Sequence, residues 1–169
     1  KMRNIAIYKA TLDNEEIDQL KSVLQAKDDL SKVLEFEEKM VKYIGAKYAI
    51  ATATSTAALH LALSSMRLKR GDKVLMSVNS FVNLPETVRH FDAEPIFVDI
   101  NLEDMNLDIE KFEETIIANK SKKLRAAIIT FIGGLAPNLE KIYEIAKKHN
   151  ILIIEDCRAA LGTTYKGQK

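Results

Sequence analysis

The chain has 169 residues, 47% hydrophobic and 29% charged, with 25 Lys and Arg against 24 Asp and Glu for a formal charge of +1. This composition suits a globular domain with a sizeable core, and so even a charge balance gives no overall attraction to nucleic acid or anionic membrane, leaving a small molecule as the expected partner. The single cysteine, Cys157, can form no internal disulfide and has no Cys or His at zinc-binding spacing. Residues 1–10 are too short an apolar run for a signal peptide, and no stretch approaches the about 18 apolar residues of a spanning helix, so a cytoplasmic protein without metal is expected.

Asp13-Asn14-Glu15-Glu16 reads as a capping box with Asp13 as the cap, and Ile17, Leu20, Val23 and Leu24 follow at helical spacing. A second helix is expected over 33–44, with Leu34, Met40, Val41 and Ile44 on its inner face and Gly45 just past its end. From Tyr48 onward short apolar runs alternate with helical patterns. Strands are expected at 48–51, 73–78, 95–98, 126–131 and 151–154, and helices over 56–66, 85–91, 108–117 and 138–149. Pro85 suits a first helical turn and Asn138 an N-cap, while the basic, polar stretch 118–123 is a loose connection. Strand runs that are apolar throughout and separated by helices predict an α/β fold, three layers deep, with a mostly parallel sheet covered on both faces.

Two segments stand out chemically. Residues 151–156, Ile-Leu-Ile-Ile-Glu-Asp, read as a fully buried strand delivering two carboxylates at its C-terminal edge, where open α/β sheets place their ligands. Thr54, Ser55 and Thr56 place hydroxyls and free N–H groups at the start of an apolar helix, which suits a phosphate. The same three residues also suit an ordinary Ser/Thr N-cap, and the segment alone does not separate the two. Asp156 needs a cationic partner to stay charged beside so apolar a strand, and Glu155 should point to the other face. A phosphate site and a buried carboxylate at ends of one sheet suggest pyridoxal 5′-phosphate, which carries a phosphate at one end and a basic nitrogen elsewhere. Phe81, just beyond the 73–78 strand, is placed to stack on such a ring, although for an isolated phenylalanine a core role is several times more common. Gly133-Gly134 marks a permissive turn at the same edge. His60, His90 and His149 share no motif, and Lys166 and Lys169 lie in a polar, turn-like end suited to solvent. The chain has neither a Walker loop nor a Gly-x-Gly-x-x-Gly fingerprint.

In order along the chain, Glu35-Phe36-Glu37, Tyr43-Ile44-Gly45-Ala46-Lys47-Tyr48-Ala49, Thr56-Ala57-Ala58-Leu59-His60-Leu61-Ala62-Leu63 and Gly71-Asp72-Lys73-Val74 resemble segments of the DegT/DnrJ/EryC1/StrS family, the sugar aminotransferases of fold type I. The resemblance continues through Pro95-Ile96-Phe97-Val98-Asp99-Ile100, Asn106-Leu107-Asp108 and Glu155-Asp156 to Ala160-Leu161-Gly162-Thr163-Thr164-Tyr165-Lys166-Gly167, and so covers nearly the whole chain. It implies a helical segment at 1–47 that helps form a homodimer and a cofactor-binding large domain at 48–169. It also implies that Ser55 and Thr56 bind the cofactor phosphate, Phe81 stacks on the pyridine ring, and Asp156 pairs with its nitrogen and keeps it protonated. The implied reaction moves an amino group from glutamate or glutamine to the keto group of a nucleotide-linked sugar, as in cell-surface polysaccharide or amino-sugar biosynthesis.

The family's Schiff-base lysine lies downstream of the Tyr-Lys-Gly segment, so this chain is expected to be the large-domain part only and inactive as a fragment. Three further departures are Ser55 where the family usually has Gly, Ala159 near its Gln or His, and Glu86 where it has Asn. The last would bring a charge near the pocket. Other readings are the cofactor-dependent sugar dehydratase branch, which replaces the lysine, and a degenerate family domain without catalysis. The late position of the acidic strand end argues strongly against a phosphoacceptor receiver domain, which carries its acidic pair near the chain start.

Overall fold

The computed structural model describes residues 10–26 and 31–169, so the reading of residues 1–10 falls, but for Ala10, outside the described part. The chain forms two compact units, one through Ala51 and one from Thr52 onward. The first holds α1 (Asn14–Ala26) and α2 (Ser31–Ile44). The capping box is reciprocal: Glu15 N–H donates to Asp13 Oδ1 at 2.8 Å and Asp13 N–H to Glu16 Oε2 at 2.7 Å. Gly45 adopts φ +75° and donates its N–H to the Val41 carbonyl, closing α2. Neither helix buries a residue, so Leu34 and Ile44 are exposed where an inner face was expected.

The strand expected at 48–51 does not form. A short extended run becomes a strand only beside a pairing partner, and this one has none among the described residues. Tyr48 and Ile50 are exposed, and the Ala51 N–H donates to the Glu37 carboxylate instead of to a neighbouring backbone.

The second unit runs α3 (Ser55–Ser65), β1 (Lys73–Ser77), α4 (Asn83–Arg89), β2 (Glu94–Val98), α5 (Ile109–Ala118), β3 (Leu124–Thr130), a 3-10 turn at Ile132–Gly134, α6 (Leu139–His149) and β4 (Leu152–Asp156). Its four strands are all parallel, in the order β2-β1-β3-β4. Successive strand residues point to opposite faces, and the two core clusters follow that alternation. Val74, Met76, Ala126 and Ile128 pack with Leu59 and Leu63 of α3 and Leu84 and Val88 of α4. Leu75, Ala127 and Ile129 pack with Phe112 and Ile116 of α5 and Ile142 and Ile145 of α6. The sheet is thereby covered on both faces, the three-layer α/β/α arrangement expected for fold type I.

β4 is not fully buried: among the described residues it pairs only with β3, and as an edge strand it leaves Leu152 and Glu155 exposed. Its apolar composition serves the faces of the sheet, which do not extend around an open edge.

Candidate functional site at the C-terminal sheet edge

From β1 the chain goes to β2 on one side and returns later as β3 on the other. The C-terminal ends of β1 and β3 are therefore the switch point at which open α/β sheets form a crevice. A cavity of about 460 Å³ opens there, a size that accepts a small cofactor. Asn79, Ser80 and Phe81 wall it after β1, Thr130, Phe131, Ile132 and Gly133 at the end of β3, and Asp156, Arg158 and Ala159 at the end of β4.

Each predicted residue reaches this region by a local cause. Thr54 caps α3, its side chain accepting the Ala57 N–H at 3.1 Å. Among the described residues no hydrogen bond takes the N–H groups of Ser55 and Thr56, which start the helix and carry its positive dipole end. The Ser/Thr cap and the anion-site readings of this turn are thus compatible: Thr54 serves the first and leaves two donors for the second. The cavity lining stops short of Ser55 and Thr56, but a polar chain links them to it. Asn83 Nδ2 donates to Thr56 Oγ1 at 2.9 Å, and Arg158 Nη1 donates to Asn83 Oδ1 at 3.0 Å. Phe81 is not a core residue; it is 61% exposed with its ring at the cavity.

Asp156 ends β4 with its side chain 13% exposed. Arg158 Nη2 lies 3.4 Å from Asp156 Oδ2, within ion-pair reach but outside hydrogen-bond geometry, so among the described residues that buried oxygen accepts no hydrogen bond. Its register partner on β3, Thr130, also holds a buried hydroxyl without a hydrogen bond among the described residues. Glu155 points the other way and accepts the Tyr143 hydroxyl of α6, as strand alternation requires.

Four residues that matter here escaped sequence reading. Asn83 and Arg158 join Thr56, Phe81 and Asp156; the signal for Arg158 was its position two beyond Asp156, on the same side of the strand end. Thr130 was hidden inside an apolar run. Asn106, fully buried, accepts the Ile132 N–H at 3.0 Å and donates to the Leu135 carbonyl at 3.3 Å, which fixes the cavity wall after β3. Of the departures noted above, Ala159 lines the cavity. Glu86 does not: its side chain is exposed on α4, so the charge expected near the pocket faces solvent. Cys157 is no candidate nucleophile, because burial and the Glu155 and Asp156 carboxylates push its thiol up to about 12. Lys166 pairs with Glu140, which holds its ammonium above the usual lysine range. Among the described residues no helix is long and apolar enough to cross a membrane.

The chain is 35% identical over 137 residues to a GDP-perosamine synthase of Caulobacter vibrioides, covering 81% of this chain and 36% of that protein. It is 34% identical over 163 residues to a UDP-4-amino-4,6-dideoxy-N-acetyl-beta-L-altrosamine transaminase of Campylobacter jejuni, covering 94% of this chain and 42% of that one. The fold superposes with a TM-score of 0.89 and 24% identity on an E. coli GDP-4-keto-6-deoxy-D-mannose-3-dehydratase with bound hydrated pyridoxal phosphate, over 100% of this chain and 44% of that one. The chain thus spans less than half the length of these relatives. Residues 10–169 match the DegT/DnrJ/EryC1/StrS aminotransferase family. With the parallel sheet and the switch-point cavity in place, the chain belongs to the DegT/DnrJ/EryC1/StrS aminotransferase family.

Proposed function

We propose that the cavity takes pyridoxal 5′-phosphate and that the protein transfers an amino group from glutamate or glutamine to the keto group of a nucleotide-linked sugar. The observation that carries the reading is the buried Asp156 Oδ2, unbonded at the cavity and on one side of a polar chain that ends at two free N–H donors. A buried carboxylate oxygen without a hydrogen bond is costly unless a donor arrives, and a protonated ring nitrogen is such a donor. The residues fit the cofactor on both counts: Ser55 and Thr56 would hold its phosphate, Asp156 its nitrogen, and Phe81 one ring face. When bound, the cofactor supplies an electron-accepting ring that stabilises negative charge at the carbon losing its proton. Asp156 serves that chemistry by keeping the ring nitrogen protonated.

Amino transfer is preferred to the dehydratase reading because likeness to the dehydratase is a likeness of fold at 24% identity, whereas the relative at 34% identity is named a transaminase. Residues 1–47 would form a helical segment and 48–169 the cofactor-binding domain. Exposed Leu20, Leu24, Leu34 and Phe36 support a homodimer role for the former; sedimentation as a monomer at every concentration would contradict it.

The test is a fluorescence titration with pyridoxal phosphate. Asp156→Asn is expected to weaken binding about tenfold, since one charge-assisted hydrogen bond is worth about 1.5 kcal/mol. In the protein that carries this chain, glutamate or glutamine should convert bound pyridoxal phosphate to pyridoxamine phosphate. Equal affinities would remove Asp156 from the site, and no conversion with either donor would contradict amino transfer.

A further inference from the structure

The Arg158 guanidinium holds an unusual place. Its Cζ lies 4.9 Å from the centroid of the Phe81 ring, its Nη2 faces Asp156 Oδ2 at 3.4 Å, and its Nη1 donates to Asn83 Oδ1 at 3.0 Å. A planar cation over Phe81 and beside Asp156 makes the two contacts that a protonated pyridine ring would make in the same cavity. From this overlap we infer that Arg158 is an internal surrogate for the cofactor ring, a gate that must swing away from Phe81 and Asp156 before the ring can enter. The inference rests on the cofactor reading of the cavity.

The geometry also says why displacement is feasible. The Arg158–Asp156 pair lacks hydrogen-bond alignment and leaves Oδ2 without a bond, so a ring N–H directed at that oxygen makes the better contact. The Arg158 side chain is 28% exposed and keeps a route to solvent. In the free protein the guanidinium balances the Asp156 charge and shields the Phe81 face. The gate therefore raises the ligand requirement: an entering molecule must replace both a stacked plane and a cation. Molecules with a phosphate but no cationic ring leave Arg158 in place.

The test uses the 169-residue chain and 4′-deoxypyridoxine 5′-phosphate, which has the ring nitrogen and phosphate but no aldehyde, so lysine chemistry does not enter. Calorimetric titration of Arg158→Ala is expected to show binding about fivefold tighter than the unmodified chain, the size expected for removing one competing ion pair and ring contact. The gain should vanish in Asp156→Asn/Arg158→Ala. Equal or weaker binding by Arg158→Ala overturns the gate and leaves the cofactor reading standing, whereas no binding by any of these proteins overturns both. A second measurement holds even if Arg158→Ala folds poorly. In the unmodified chain, the Arg158 Nε–Hε resonance, assigned by its loss in Arg158→Lys, should shift as ligand is added. A resonance that stays put at saturation overturns the gate.

Discussion

Asp156 and Thr130 are register partners at the ends of β4 and β3, and each carries a buried oxygen without a hydrogen bond. Each such atom is a local cost of about 1–3 kcal/mol, which natural cores avoid unless a ligand offsets it. Thr130→Val, which replaces the hydroxyl by a methyl of similar size, is therefore expected to raise unfolding stability by about 1 kcal/mol in a denaturant titration while leaving the fold intact. A clear loss of stability would show that the hydroxyl has a partner in the free protein. The carboxylate could be read from the sequence because an acidic residue ending an apolar run is conspicuous. Thr130 could not, since its role depends on which strand lies beside which, and Arg158 offered only its position two beyond Asp156, which does not say how far a long side chain reaches.

At the scale of elements, helix starts were the most legible feature because capping is local. Thr54, Asp108 and Asn138 each accept an N–H from three residues on, and the strand and helix runs after Lys73 formed close to their expected positions. The stretch at 48–51 was misread because four apolar or small residues say nothing about whether a pairing partner exists. Asn106 was equally opaque: its two bonds go to a loop 26 and 29 residues away. Asn106→Ala leaves the Ile132 N–H and Leu135 carbonyl without their partner and is expected to cost about 2 kcal/mol of stability. The same substitution should weaken cofactor binding by loosening the wall after β3. Unchanged thermal unfolding together with unchanged affinity would show that the loop holds its shape without Asn106.

At the scale of the whole molecule, the α/β class followed from the alternation of runs, but the strand order did not. The order β2-β1-β3-β4 puts the ends of β1, β3 and β4 around one cavity, bringing Phe81, Thr130 and Asp156 together from positions far apart in the chain. On the proposed reading, residues after three strands and at one helix start would serve one ligand, with the N–H groups of Ser55 and Thr56 toward its phosphate and Asp156 toward its ring nitrogen. The crystal structure of the chain with 4′-deoxypyridoxine 5′-phosphate tests this most directly. The account predicts the phosphate on the Ser55 and Thr56 N–H groups, the ring on Phe81 and its nitrogen on Asp156 Oδ2. A ligand seated elsewhere, or bound in this cavity with its nitrogen turned away from Asp156, would contradict it.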